Sequence, residues 1–106
     1  MGWKEKSNMG KYVYVYYAGT SDGGSAEAWG AWFGKLGDKL VDPGNPFGDD
    51  GKAVNKEGIM AVKDMPATGY SIVSASNMEE ATEMAKGCPL MSADDGAVCV
   101  YEALPM

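Results

Sequence analysis

The chain has 106 residues, a length that makes one domain and allows one real core. It carries a net charge of −6, with 15 acidic residues against 9 basic ones, all of them lysine, and it contains no histidine. Without arginine or a basic excess it cannot build a phosphate-tracking surface, and without imidazole it lacks the usual neutral-pH base, the commonest metal ligand and every triad that needs one.

Residues 1–10 have no periodicity and are expected to form a flexible arm, with Trp3 its one anchor, ahead of a single domain over 11–106. The opening MGWKEKSNMGK has no apolar core of a secretory signal, and no run is long enough to cross a bilayer, so a cytoplasmic protein is expected. Residues 11–17, KYVYVYY, alternate strictly and predict a first strand with Tyr12, Tyr14 and Tyr16 on one face and Val13, Val15 and Tyr17 on the other.

From Ser25 to Leu40, Trp29, Trp32, Phe33, Leu36 and Leu40 fall on one helical stripe, with Ser25 as cap and Glu27 in the first turn. Gly30, Gly34 and Gly37 interrupt this helix, and close approach of another backbone is the expected reason. The segment VDPGNPFGDDGKAV is an irregular connection of the kind that often carries function. Strands are expected near Lys52–Asn55, Gly58–Lys63 and Gly69–Ala75. A second helix follows, capped by Asn77 with Glu80 completing a capping box, and Met78, Ala81, Met84 and Ala85 are expected to face inward. Gly87 and Pro89 stop it, and residues 97–104 form the last strand.

This order predicts an α+β fold, a ferredoxin-like βαββαβ sandwich with both helices on one side of an antiparallel sheet. Two helices cover only one face. The face bearing Tyr12, Tyr14 and Tyr16 is expected to be the bare one, and to be covered by a second copy in a homodimer.

Four features invite chemistry. The turn AGTSDGGS after the first strand resembles neither a P-loop nor a dinucleotide turn, and Asp22 puts a negative charge where a phosphate would sit, so a plain connection is expected. Acidic residues at 42, 49, 50, 94 and 95 lack calcium-loop spacing, and no metal or other cofactor is expected. Asp42, at the start of the long loop, is the one weak candidate for a general base with a raised pKa. Cys88 and Cys99 are expected to be reduced packing residues, the helix end raising the Cys88 pKa.

Residues 69–104, GYSIVSASNMEEATEMAKGCPLMSADDGAVCVYEAL, resemble the C-terminal half of YCII-related (YciI-like) domain proteins, through Gly69-Tyr70, the helix to Lys86, Gly87-Cys88-Pro89 and Val98–Tyr101. AWFGKLGDKLVDPGNPFG, residues 31–48, is similar to uncharacterised bacterial members of that family. The resemblance implies a dimeric α/β barrel with a pocket near the sheet interface. A His-Asp pair of some relatives cannot be carried over, because this chain has no histidine.

The function expected is binding of a small organic molecule by Tyr14, Tyr16, Asp42, Asn45, Pro46 and Phe47, with no assignable catalysis. The alternatives are an isomerase- or lyase-like enzyme using Asp42 and a tyrosine, and a protein-interaction module. No nucleic-acid or membrane partner is expected.

Overall fold

The computed structural model describes residues 9–62 and 65–106. Most of the expected arm, with Trp3, and the Lys63 end of one expected strand lie outside the described residues.

Strand β1, Gly10–Tyr17, forms the centre of a four-stranded sheet. It pairs antiparallel with β5, Gly69–Ala75, on one side and with β6, Ala97–Ala103, on the other. A short β2, Leu40–Asp42, adds to the far edge of β5, giving the order β2-β5-β1-β6. The fold is α+β. Helix α1, Ala26–Leu36, and helix α2, Met78–Ala85, pack on one face of this sheet.

Which face they cover reverses the expectation. Tyr12, Tyr14 and Tyr16 are buried beneath the helices, at 4%, 0% and 5% exposure, so they are core and not a bare surface. The Tyr14 ring stacks on Trp32 of α1 at 5.9 Å, and the Tyr14 hydroxyl donates to the Ala81 carbonyl of α2. Alternation therefore turns Val13, Val15 and Tyr17 to the opposite face, which no described helix covers, joined through the register by Tyr70, Ile72, Cys99 and Tyr101. Large aromatic rings on β1 match the tryptophan stripe of α1, and that match selects the buried side.

Ser25 caps α1, its hydroxyl accepting from the Ala28 N–H at 3.1 Å. The helix ends four residues earlier than expected, because Gly37 takes a positive φ (+58°) open to glycine and its N–H closes on the Phe33 carbonyl. A 3₁₀ turn, Gly37–Lys39, follows, and Leu40 pairs with Val73 as part of β2 instead of continuing the helix. No packed backbone among the described residues explains the helix glycines: a Cβ added at Gly30, Gly34 or Gly37 would meet none of their atoms within 4 Å. In α2, Asn77 accepts the Glu80 N–H at 2.8 Å while Glu80 accepts the Ser76 N–H at 2.8 Å, a reciprocal cap displaced by one residue. Ala81 and Ala85 face the core and Met84 packs against it, but Met78 is exposed.

The strands expected in the middle of the chain do not enter the main sheet. β3, Lys52–Asn55, and β4, Gly58–Ala61, form a separate two-stranded hairpin. The edge position goes to β2.

Candidate functional site

Where β1 ends and β5 begins, three distant segments meet around a cleft of about 760 Å³. The first is the glycine-rich turn, Ala18 to Gly24. Its conformation is fixed locally: Thr20 N–H donates to the Asp95 carboxylate at 2.8 Å, the Ser21 hydroxyl donates to the Ala18 carbonyl at 2.6 Å, and Gly24 N–H donates to Asp22 at 3.0 Å. The Thr20 N–H holds the Asp95 carboxyl below the usual range. These bonds occupy the Ser21 and Asp22 side chains in shaping the turn, and the turn also borders the cleft.

The second segment is the N-terminal half of α1. Trp29, Gly30 and Phe33 line the cleft beside Tyr16. The Trp29 indole is held by its N–H, which donates to the Gly23 carbonyl at 2.7 Å, and its ring meets Tyr16 edge-on at 4.8 Å and Phe33 at 5.7 Å. Gly30, with open space in front of it, keeps room at this wall.

The third is the loop after β2. Pro43 to Pro46 line the cleft with Thr68 to Tyr70. This stretch of the DPGNPFG loop runs as an extension beside β5: Pro46 bridges Gly69, Phe47 N–H donates to the Thr68 carbonyl at 2.9 Å, and the Ser71 hydroxyl donates to the Pro43 carbonyl at 2.6 Å. Gly44, at φ +74°, lies so close to Tyr70 that no side chain fits there.

Of the expected ligand residues, Tyr16, Asn45 and Pro46 come together in the cleft. Tyr14, Asp42 and Phe47 do not line it. Tyr14 is sealed in the core, where burial, followed by the nearby Cys88 and Glu80, pushes its phenol up to about 12. The Asp42 carboxylate accepts the Gly44 N–H at 2.8 Å and shapes the turn. Phe47, 45% exposed, stacks on Tyr70 at 5.8 Å. Spacing alone marks Trp29 and Phe33 as part of a helix stripe and Gly30 as an interruption of it; the signal for a second role is the run of glycines on that helix, for which packing among the described residues gives no reason.

Two features set the chemistry of the cleft. Among the described residues Asp22 is the only charged one that lines it, so an anion meets repulsion there and no described lysine. Tyr16 keeps a buried hydroxyl with no hydrogen-bond partner among the described residues, and burial pushes its phenol well above the ordinary value against a smaller opposing effect of Ser71. It stays neutral. Cys88 is buried, and burial pushes its thiol up to about 11, which leaves it unreactive near neutral pH. Among the described residues no group of three His, Cys, Asp or Glu side chains could hold a metal, and no helix is long and apolar enough to cross a membrane.

The chain matches no protein-family model, and comparison with curated proteins and with solved structures gives no match.

Proposed function

We propose that this chain binds a small, uncharged, weakly polar organic compound in the cleft between the glycine turn, α1 and the Pro43–Pro46 loop. The observation that carries this is the wall of Tyr16, Trp29 and Phe33, three aromatic rings around an open space that no side chain of the described residues fills. An apolar, concave surface with few polar groups is the usual form of a small-molecule site. The cleft lies within one chain on the helix side of the sheet, not between two sheets.

Thermal unfolding and tryptophan fluorescence against neutral aromatic and alicyclic compounds, with organic phosphates as a contrast set, test the proposal. A ligand at about a hundred times its Kd adds roughly 2.7 kcal/mol of apparent stability. At least one neutral compound should raise the melting temperature and perturb Trp29, and Gly30→Leu, which fills the cleft and removes a helix glycine, should abolish both effects without lowering stability. Absence of stabilisation by every compound would overturn the proposal.

A second reading concerns assembly. Helices cover one face of the sheet, and the other presents Val13, Val15, Tyr17, Ile72, Cys99 and Tyr101 with no layer of described residues over it. Packing of two such faces in a homodimer supplies that layer. The strand order β2-β5-β1-β6, with both helices on one side, is the arrangement a ferredoxin-like sandwich requires and so supports that assignment. It is equally compatible with the YCII-like kinship suggested by residues 69–104 and with a dimeric α/β barrel. Proton transfer by Asp42 and a tyrosine has no support in the site, since Asp42 serves the turn and does not line the cleft.

A further inference from the structure

The polar side chains of the cleft differ in what they leave for a ligand. Its hydroxyl and indole donors are already committed within the chain: the Trp29 N–H donates to the Gly23 carbonyl at 2.7 Å, the Ser21 hydroxyl to the Ala18 carbonyl at 2.6 Å and the Thr68 hydroxyl to the Tyr16 carbonyl at 3.1 Å. The Tyr16 hydroxyl is buried, so Tyr16 contributes its ring and not its oxygen to the wall. Alternation along β5 turns the Tyr70 ring to the other face of the sheet.

Asp22 leaves the reverse. One of its carboxylate oxygens accepts the Gly24 N–H at 3.0 Å, and the other has no partner among the described residues. Gly23 and Gly24, both at positive φ, let the turn fold back on Asp22, and the Gly24 N–H orients the carboxylate before any ligand arrives. An ionised carboxylate accepts and never donates. An ether, ketone or carboxylate brought to its remaining oxygen meets a second acceptor, and an apolar group displaces water there without replacing the hydrogen bond. A hydroxyl or N–H replaces that water with a charge-assisted bond. Asn45 makes no such selection, because an amide both donates and accepts.

We infer that the cleft selects neutral ring compounds that carry a hydrogen-bond donor, a hydroxyl or an amide N–H, which the Asp22 carboxylate accepts while the ring lies against Trp29 and Phe33. This rests on the small-molecule reading given above and narrows it to donors. Asp22 is then the residue that sets specificity, and the glycine turn is the edge of the site that orients the ligand.

Isothermal titration calorimetry on the full chain and on Asp22→Asn tests this with matched probes: cyclohexanol and p-cresol, each beside its methyl ether, and cyclohexylammonium as a charged donor. Asp22 is exposed and water competes for it, so the hydroxyl member of each pair should bind the full chain about tenfold tighter than its ether, and not by the larger factors of a sealed site. Asp22→Asn, whose amide oxygen can still accept the Gly24 N–H, should close most of that gap. The ethers should bind the variant no worse than the full chain, which shows that its cleft is intact. Equal affinity within the pairs, or a gap that persists in Asp22→Asn, would overturn selection by Asp22 and leave a neutral-compound site standing. Binding of cyclohexylammonium alone, or of no probe, would overturn the inference together with the reading it rests on.

Discussion

Tyr14 and Tyr16 stand side by side on one face of β1 with ring centroids 6.4 Å apart, and of the two only Tyr14 has a hydroxyl partner among the described residues. Tyr14 ties the central strand to α2 through the Ala81 carbonyl, whereas the Tyr16 hydroxyl is buried without one among the described residues. One substitution at the two positions should therefore act with opposite sign. Tyr14→Phe removes a buried hydrogen bond and should cost about 1 kcal/mol. Tyr16→Phe removes an unsatisfied group and should be neutral or stabilising in the unliganded protein. In a domain of this size a change of about 1 kcal/mol moves the melting temperature by about 4 °C or more, which calorimetry resolves.

Helix α1 carries a cost that the packing of the described residues does not offset. Gly34 sits in mid-helix and a methyl group there would meet nothing within 4 Å, so Gly34→Ala should stabilise the protein by about 0.5–1 kcal/mol. Gly44 gives the contrast. Its φ of +74° and its approach to the Tyr70 carbonyl leave no space for a side chain, and Gly44→Ala should destabilise by about 2 kcal/mol or more. Denaturant midpoints of the two variants, compared with wild type, check both signs.

Stability should fall on the alkaline side. Burial holds the Cys88 thiol at about 11 against an ordinary 9.0, and the Tyr14 phenol at about 12 against 10.0. Both groups are favoured neutral in the folded chain, so the stability they contribute is whole below pH 9 and is lost as pH rises through about 9 to 12. At the acid end, Glu80 is depressed by the Ser76 N–H and Lys39, and Asp95 by the Thr20 N–H. Their contribution is present above the ordinary carboxylate values and is lost as pH falls through the depressed ones. Urea midpoints across the pH range, with phenolate absorbance followed in parallel, check this: the Tyr14 signal should appear together with unfolding and not before it.

Much of this architecture is local and was legible from residue spacing. Strict alternation marks β1, the Asn77–Glu80 pair starts α2, and Ser25 starts α1, because a strand's period and a helix cap depend on neighbours a few residues away. Missing histidine and arginine limit the chemistry without any knowledge of the fold. Even the inference that two helices leave one sheet face uncovered depends only on counting layers.

What tertiary structure alone decided is the sign of that asymmetry. Alternation divides β1 into two apolar faces but does not say which one meets the helices; the fit of Tyr14 and Tyr16 against Trp29 and Trp32, contacts 13 to 18 residues apart in sequence, made the choice. The same holds for β2, three residues too short to show a period, which exist as a strand only because Val73 and Ile72 of β5 offer an edge. The cleft is the clearest case. Gly23, Trp29 and Pro46 meet around one space through long-range pairing and packing, and no spacing along the chain encodes a volume enclosed by segments that are brought together only when the sheet forms.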